Sequence, residues 1–114
     1  MRRMTTPERI VFEKLSREGI FFEVENGKIF GRPDFYVPNS RTVIFVDGCF
    51  WHAHSGCHLA SLPRRNAMEW LSRFNSQKLR DETVTEGLAS QGFRVLRIWE
   101  CEVAMHDMRT LLSQ

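Results

Sequence analysis

Two apolar runs of strand length, residues 42–46 (Thr-Val-Ile-Phe-Val) and 93–99 (Phe-Arg-Val-Leu-Arg-Ile-Trp), flank one long segment of helical character. A helix between two such strands is a crossover unit, which makes the strands parallel neighbours in one sheet. Residues 42–46 are apolar throughout, as a central strand covered on both faces must be. Neither run approaches the roughly 20 residues of a membrane span. With 114 residues, 42% apolar and 26% charged, the chain is expected to form one domain, 1–114, around a modest core.

The remaining elements follow from local signals. Thr5-Thr6-Pro7-Glu8 reads as a helix start, with a capping hydroxyl, a first-turn proline and an acid at the positive end, and Gly19 as its stop. Phe21, Phe22 and Val24 suggest a strand, and Asn26-Gly27 predicts a hairpin into a second strand at residues 28–30. Residues 34–37 add a further strand portion. Residues 48–65 carry Gly, Ser, Pro and three of the four histidines without periodicity, so they form a long loop. A helix is expected from Asn66, with Glu69 in the capping-box position, to about Ala89 before Gln91-Gly92, and a short one over residues 103–112. The expected fold class is therefore α/β, a mixed central sheet flanked by helices.

The opening Met1-Arg2-Arg3-Met4 is basic, yet Thr5-Thr6-Pro7-Glu8 stands where a signal peptide needs an apolar stretch, so a cytoplasmic location is expected. Three cysteines in a reducing compartment cannot all pair. Cys49, His54 and Cys57 form the pattern C-x4-H-x2-C, and Cys101 follows the last strand. Two thiolates and an imidazole completed by a distant thiolate are the Cys3His set that structural zinc accepts, and the remote ligand would tie the long loop to the sheet. His52 and His58 compete with His54 for the nitrogen position.

Asp34 follows Pro33 on one strand and Asp47 ends the next, so two carboxylates can converge at one edge of the sheet. Hard cations such as magnesium take oxygen ligands of this kind together with substrate phosphates, and assist phosphodiester hydrolysis while a histidine moves a proton. His52, five residues beyond Asp47, is the candidate. Phe50 and Trp51 follow Gly48 in the loop, and such rings serve either as core plugs or as wedges that unstack bases. Trp70 poses the same alternative. On the long helix Trp70, Phe74, Gln77, Asp81, Val84 and Leu88 keep a helical period with polar interruptions, which suggests that the middle of this face approaches a site or an ion-pair partner. Arg64, Arg65, Arg73, Lys78 and Arg80 face only Glu69 between residues 61 and 80, a block compatible with a polyanionic partner.

Taken together, GRPDF at 31–35, VIFVDGCFWHAHSGC at 43–57, EW at 69–70, RD at 80–81 and FRVLRIWEC at 93–101 resemble the very-short-patch repair endonucleases. The resemblance implies a restriction-endonuclease-like fold, related to the PD-(D/E)xK nucleases, that nicks double-stranded DNA at a thymine mispaired with guanine, using Mg2+ and a structural Zn2+. Asp34 then looks like the magnesium-binding aspartate and His52 like the acid or base at the scissile phosphate. Glu8 matches a glutamate that supports the site. Cys49, His54, Cys57 and Cys101 match the zinc set, and Phe50, Trp51 and Trp70 match aromatics inserted beside the mismatch, with Arg64 and Arg65 as further DNA contacts. The pattern departs at Val46-Asp47, where the family usually has Thr or Val followed by His. Asp47 restores a second acidic residue as a magnesium ligand, although Cys49 stands where the wider superfamily expects lysine. Gln77 stands for a usual Asn, and only a few residues precede the first helix where the family has a minor-groove segment. A monomer is expected, with mismatch-repair or restriction-modification proteins as partners. The competing readings are a zinc-stabilised nucleic-acid-binding protein without cleavage and the nuclease part of a restriction system.

Overall fold

The computed structural model describes residues 3–113. Four strands form one sheet in the order β1 (Glu23–Val24), β2 (Phe35–Val37), β3 (Thr42–Asp47) and β4 (Arg94–Trp99). The first three are antiparallel neighbours, whereas β3 and β4 run parallel, with Phe45 beside Arg97 and Asp47 beside Trp99. The crossover joining that pair is α2 (Ala67–Ser90), as the two apolar runs require. Among the described residues no helix is long and apolar enough to cross a membrane.

Side chains alternate across the sheet with period two, and each face has its own cover. Phe35, Val37, Ile44 and Ile98 pack with Val11 and Leu15 of α1 (Thr6–Arg17) and with Met108 of α3 (Met108–Leu112). On the opposite face Val43 and Phe45 pack with Leu88 of α2 and with Ile29. The same alternation sends Asp47 and Arg97 to the α2 side.

At the head of α1, the Glu8 amide donates to the Thr5 hydroxyl at 3.4 Å, and the Glu8 carboxylate accepts from that hydroxyl at 2.8 Å and from the Thr5 amide at 3.4 Å, completing a capping box. The equivalent box expected at Asn66 does not form. Asn66 has φ +58° and makes no side-chain cap, because a capping residue needs extended backbone and Asn tolerates the left-handed region.

Two other expectations are corrected. Asn26-Gly27 does turn, with the Lys28 amide on Asn26 Oδ1 at 3.0 Å, but residues 28–30 form no strand. Gly31 and Arg32 both take positive φ, +81° and +48°, which no extended hairpin arm can accommodate, and β1 pairs with β2 instead. The C-terminal helix is also shorter than expected. Residues 100–102 make one 3-10 turn and α3 begins only at Met108, where the Glu18 carboxylate accepts from the Met108 and Arg109 amides at 3.1 and 2.8 Å.

Candidate active site and metal centre

At the C-terminal ends of β3 and β4 a cavity of about 280 Å3 is lined by Glu8, Asp34, Asp47, His52, Gln77, Arg80, Asp81 and Arg97 among others. Each side chain of the acidic wall arrives from a different element. Glu8 comes from the first turn of α1, where its capping role leaves it only 6% exposed. Asp34 precedes β2, and its Oδ2 accepts from the Val46 amide at 2.7 Å, which fixes the carboxylate against the central strand. Asp47 ends β3 and is 5% exposed. Burial pushes its pKa above the ordinary 3.8, while Arg97 and His52 oppose that rise and Asp81 adds to it.

His52 Nδ1 lies 2.6 Å from Asp81 Oδ2, a short charge-assisted contact that orients the ring. Its Nε2 faces Asp47 Oδ1 at 3.8 Å. Asp81 in turn accepts from Gln77 Nε2 at 2.9 Å, one helical turn earlier. Sequence spacing does not single out Asp81, Gln77 or Arg97 as site residues. The signal it offers is the polar interruption of the α2 stripe at Gln77 and Asp81, and a charged residue inside the apolar strand at Arg97.

The structure thus places Glu8, Asp34, Asp47 and His52 around one cavity. It also gives Asp47 a partner other than the shared magnesium ion expected from the sequence: Arg97 Nη1 donates to Oδ1 and Oδ2 at 3.0 and 3.2 Å. The ligand-type atoms drawn within 4.8 Å of one another belong to Asp47, His52 and Asp81, a set that omits Asp34.

The second cluster comprises Cys49, His54, Cys57 and Cys101, whose ligand atoms also lie within 4.8 Å of one another. That spread suits a tetrahedral site of three sulfurs and one nitrogen, whose sulfur–sulfur edges are about 3.8 Å for zinc–sulfur bonds of about 2.3 Å. His58 is exposed and stands outside the group, and His52 belongs to the cavity, so His54 supplies the nitrogen in this set. Its ring stacks on Trp99 at 4.0 Å and 7° between planes, its amide donates to the Cys49 carbonyl at 2.9 Å, and Cys101 Sγ is 3.5 Å from its Nδ1. Burial pushes the Cys49 thiol up to about 12 and also raises Cys101, as expected of thiols that a cation must deprotonate to bind.

The loop after β3 and the first turns of α2 also bring together an aromatic group. Phe50 contacts Trp51, Trp70 and Phe74 edge-on at 5.3, 5.2 and 5.3 Å, and Trp51 is 56% exposed. Of the three rings expected as plugs or wedges, Phe50 and Trp70 are half-buried and Trp51 is exposed, and Phe74 beneath them is core. Arg73 stacks over Trp70 at 5.1 Å. Arg64 and Arg65 are exposed in the loop before α2 and do not line the cavity.

A mixed sheet with one parallel pair, helices on both faces and an acidic cleft at the ends of its central strands defines the restriction-endonuclease-like class of nucleases. The catalytic domain of the homing endonuclease I-Bth0305I has a similar structure, with a TM-score of 0.56 and 25% identity, covering 97% of this chain and 90% of that domain. Residues 1–58 match the family model described as DNA mismatch endonuclease Vsr. The chain is 38% identical over 108 residues to DNA mismatch endonuclease Vsr of Escherichia coli, covering 95% of this chain and 69% of that protein. It is 36% identical over 100 residues to the type II nicking enzyme V.XorIIP of Xanthomonas oryzae, covering 88% and 73% respectively. The chain belongs to the Vsr family and is a DNA endonuclease.

Proposed function

We propose that this endonuclease nicks one strand of duplex DNA at or near a mismatch of the T:G type, with Mg2+ at the cleft and Zn2+ in the Cys3His set as a structural ion. The observation that carries the reading is the adjacency of an Asp34–His52 cleft, a His52–Asp81 pair at 2.6 Å and an exposed aromatic group headed by Trp51.

Asp34 would hold the magnesium ion, with Glu8 supporting the site from α1. Such a cation supplies charge neutralisation at the scissile phosphate and a more acidic bound water. His52 is held through Nδ1 by Asp81, which leaves Nε2 turned to the cavity to move the proton exchanged during attack or departure. Hydrolysis adds one water oxygen to phosphorus and releases one sugar hydroxyl, so one proton must leave the water and one must reach the leaving oxygen. Trp51 and Trp70 unstack the mismatched step and present its backbone to the cleft. The zinc set ties residues 48–65 to the segment after β4, which positions His52, two residues from a ligand.

The test is direct. Zinc-loaded protein incubated with Mg2+ and duplexes carrying each mismatch should nick a mismatched substrate, and Asp34→Ala and His52→Ala should each lower the rate by at least about a hundredfold. Equal nicking by both variants refutes the assignment. Binding without any nick would favour a non-cleaving DNA-binding role. A second reading is supported by the names of several relatives, type II nicking enzymes: the same chemistry serves a restriction-associated target. Nicking of fully paired DNA at a defined sequence would select it.

A further inference from the structure

Asp47, His52 and Asp81 present two carboxylates and an imidazole with ligand atoms within 4.8 Å of one another, a donor set of the kind that takes a divalent ion. A guanidinium already spans it. Arg97 Nη1 lies 3.0 Å from Asp47 Oδ1 and 3.8 Å from Asp81 Oδ1, and Nη2 donates to the Asp81 carbonyl at 3.3 Å.

Arg97 has no easy way to withdraw. Its Nε donates to Thr85 Oγ1 at 2.9 Å, the plane stacks over the Phe45 ring at 4.2 Å, and the side chain is 22% exposed. Neither can it discharge, since arginine keeps its proton in proteins. Its position follows from the fold: β4 pairs in parallel with β3, which sets Arg97 beside Phe45, and α2 covers that face with Asp81 and Thr85. A divalent ion bound to an Asp47 oxygen at about 2.0–2.2 Å would therefore meet a fixed positive charge beside that same oxygen.

We propose that Arg97 is a built-in cation that takes the electrostatic place of a second metal ion, excludes divalent ions from Asp47, His52 and Asp81, and thereby keeps His52 off a metal. Divalent binding is then confined to the Asp34 side of the cavity. Arg97 is a positioning residue, acting through Asp47 and Asp81 on what His52 can do. This rests on the reading of His52 as the proton-transfer group, but it is tested by counting ions rather than cuts.

Mn2+ is titrated into zinc-loaded protein without DNA, with free ion followed by electron paramagnetic resonance. With Arg97 in place, Asp81→Asn leaves the Mn2+ count unchanged. Arg97→Met takes up one more Mn2+ per chain than the wild type, at least about tenfold tighter than any wild-type ion at that group. That uptake disappears when Asp81→Asn is added. Wild-type uptake that falls on Asp81→Asn overturns the inference, as does an Arg97→Met protein that retains its zinc and native circular dichroism but gains no ion. Where Arg97→Met fails to fold, Arg97→Gln, which keeps a donor for Thr85, carries the same comparison. A protein that nicks no DNA would remove the proposed function and leave this count intact, whereas a wild-type ion that is lost on Asp81→Asn would remove Arg97's role and leave nicking intact.

Discussion

On the proposed reading Asp81 acts on cleavage only through His52, and a double-mutant cycle tests that dependence. Asp81→Asn removes the ionised acceptor 2.6 Å from His52 Nδ1 while still offering Gln77 an oxygen. A hydrogen bond to a charged group contributes about 1.5–3 kcal/mol net. The two side chains are 18% and 21% exposed, so solvent screening favours the lower half of that range. At about 1.36 kcal/mol per factor of ten, the expected loss is roughly ten- to fiftyfold in kcat with KM little changed. His52→Ala should cost at least about a hundredfold, the loss of a general acid or base. Single-turnover nicking of a mismatched duplex at saturating Mg2+ reads both. In the His52→Ala background, Asp81→Asn should cost less than about twofold, because the group it orients is gone. A loss of the same factor in both backgrounds would refute the reasoning and show that Asp81 contributes independently of the imidazole.

Other perturbations address the remaining parts. Trp51→Ala, at a residue 56% exposed, should shift unfolding free energy by less than about 0.5 kcal/mol but weaken binding to a mismatched duplex by about 5- to 100-fold, as loss of aromatic–base stacking does; unchanged affinity in a fluorescence titration would remove it from the wedge. Leu15→Ala, fully buried between α1 and the sheet, should cost about 2–5 kcal/mol, read as a lowered urea midpoint at constant slope. Zinc binding must strip protons from Cys49, whose pKa stands at about 12, from Cys101, which is also raised, and from Cys57, so affinity rises with pH and falls as pH drops. Competition with a chelating indicator should give a slope approaching about three protons per ion, and a flat profile would contradict the ligand set.

The parts of this molecule that can be read from the chain are those encoded by local spacing. Residues 42–46 and 93–99 announce a buried parallel pair because their apolar runs bracket a helix-length segment, and β3 and β4 are that pair. The Cys3His set is legible because four scarce ligand residues recur at metal-binding intervals. Where the reading fails, local chemistry is overruled by tertiary demands. Asn26-Gly27 is a strong turn, yet Ile29 is drawn into the core under α2 and Gly31 sits where a Cβ would meet Val84 Cγ1 at 2.4 Å, so the chain cannot extend after the turn. Asn66 gives up its cap to a left-handed bend at the head of α2. The polar interruption at Gln77 and Asp81 does point to a site or an ion-pair partner, but which groups Asp81 and Arg97 meet lies in pairings across elements and is fixed only when β3 and β4 are parallel and α2 lies across them.

That same dependence explains why the two metal-type clusters belong to one design. The loop after β3 carries Cys49, His52, His54 and Cys57 within nine residues, and no regular ladder holds its backbone. Its order comes from outside: Cys101 and the Trp99 face grip His54, Glu100 Oε1 accepts from the Cys49 amide at 2.9 Å, and Asp81 grips His52. Trp99 and Arg97 lie on one strand, one aimed at the zinc set and the other at Asp47 and Asp81. β4 therefore holds the loop through Trp99 and the acid cluster through Arg97, two residues apart on one strand, so the placement of His52 against its carboxylates rests on the sheet as well as on the loop. On the proposed reading, a proton-transfer group misplaced by about 1 Å can lose about a hundredfold in rate, and a zinc ion held at Cys101 would transmit the rigidity of the sheet to His52, which no helix or strand carries.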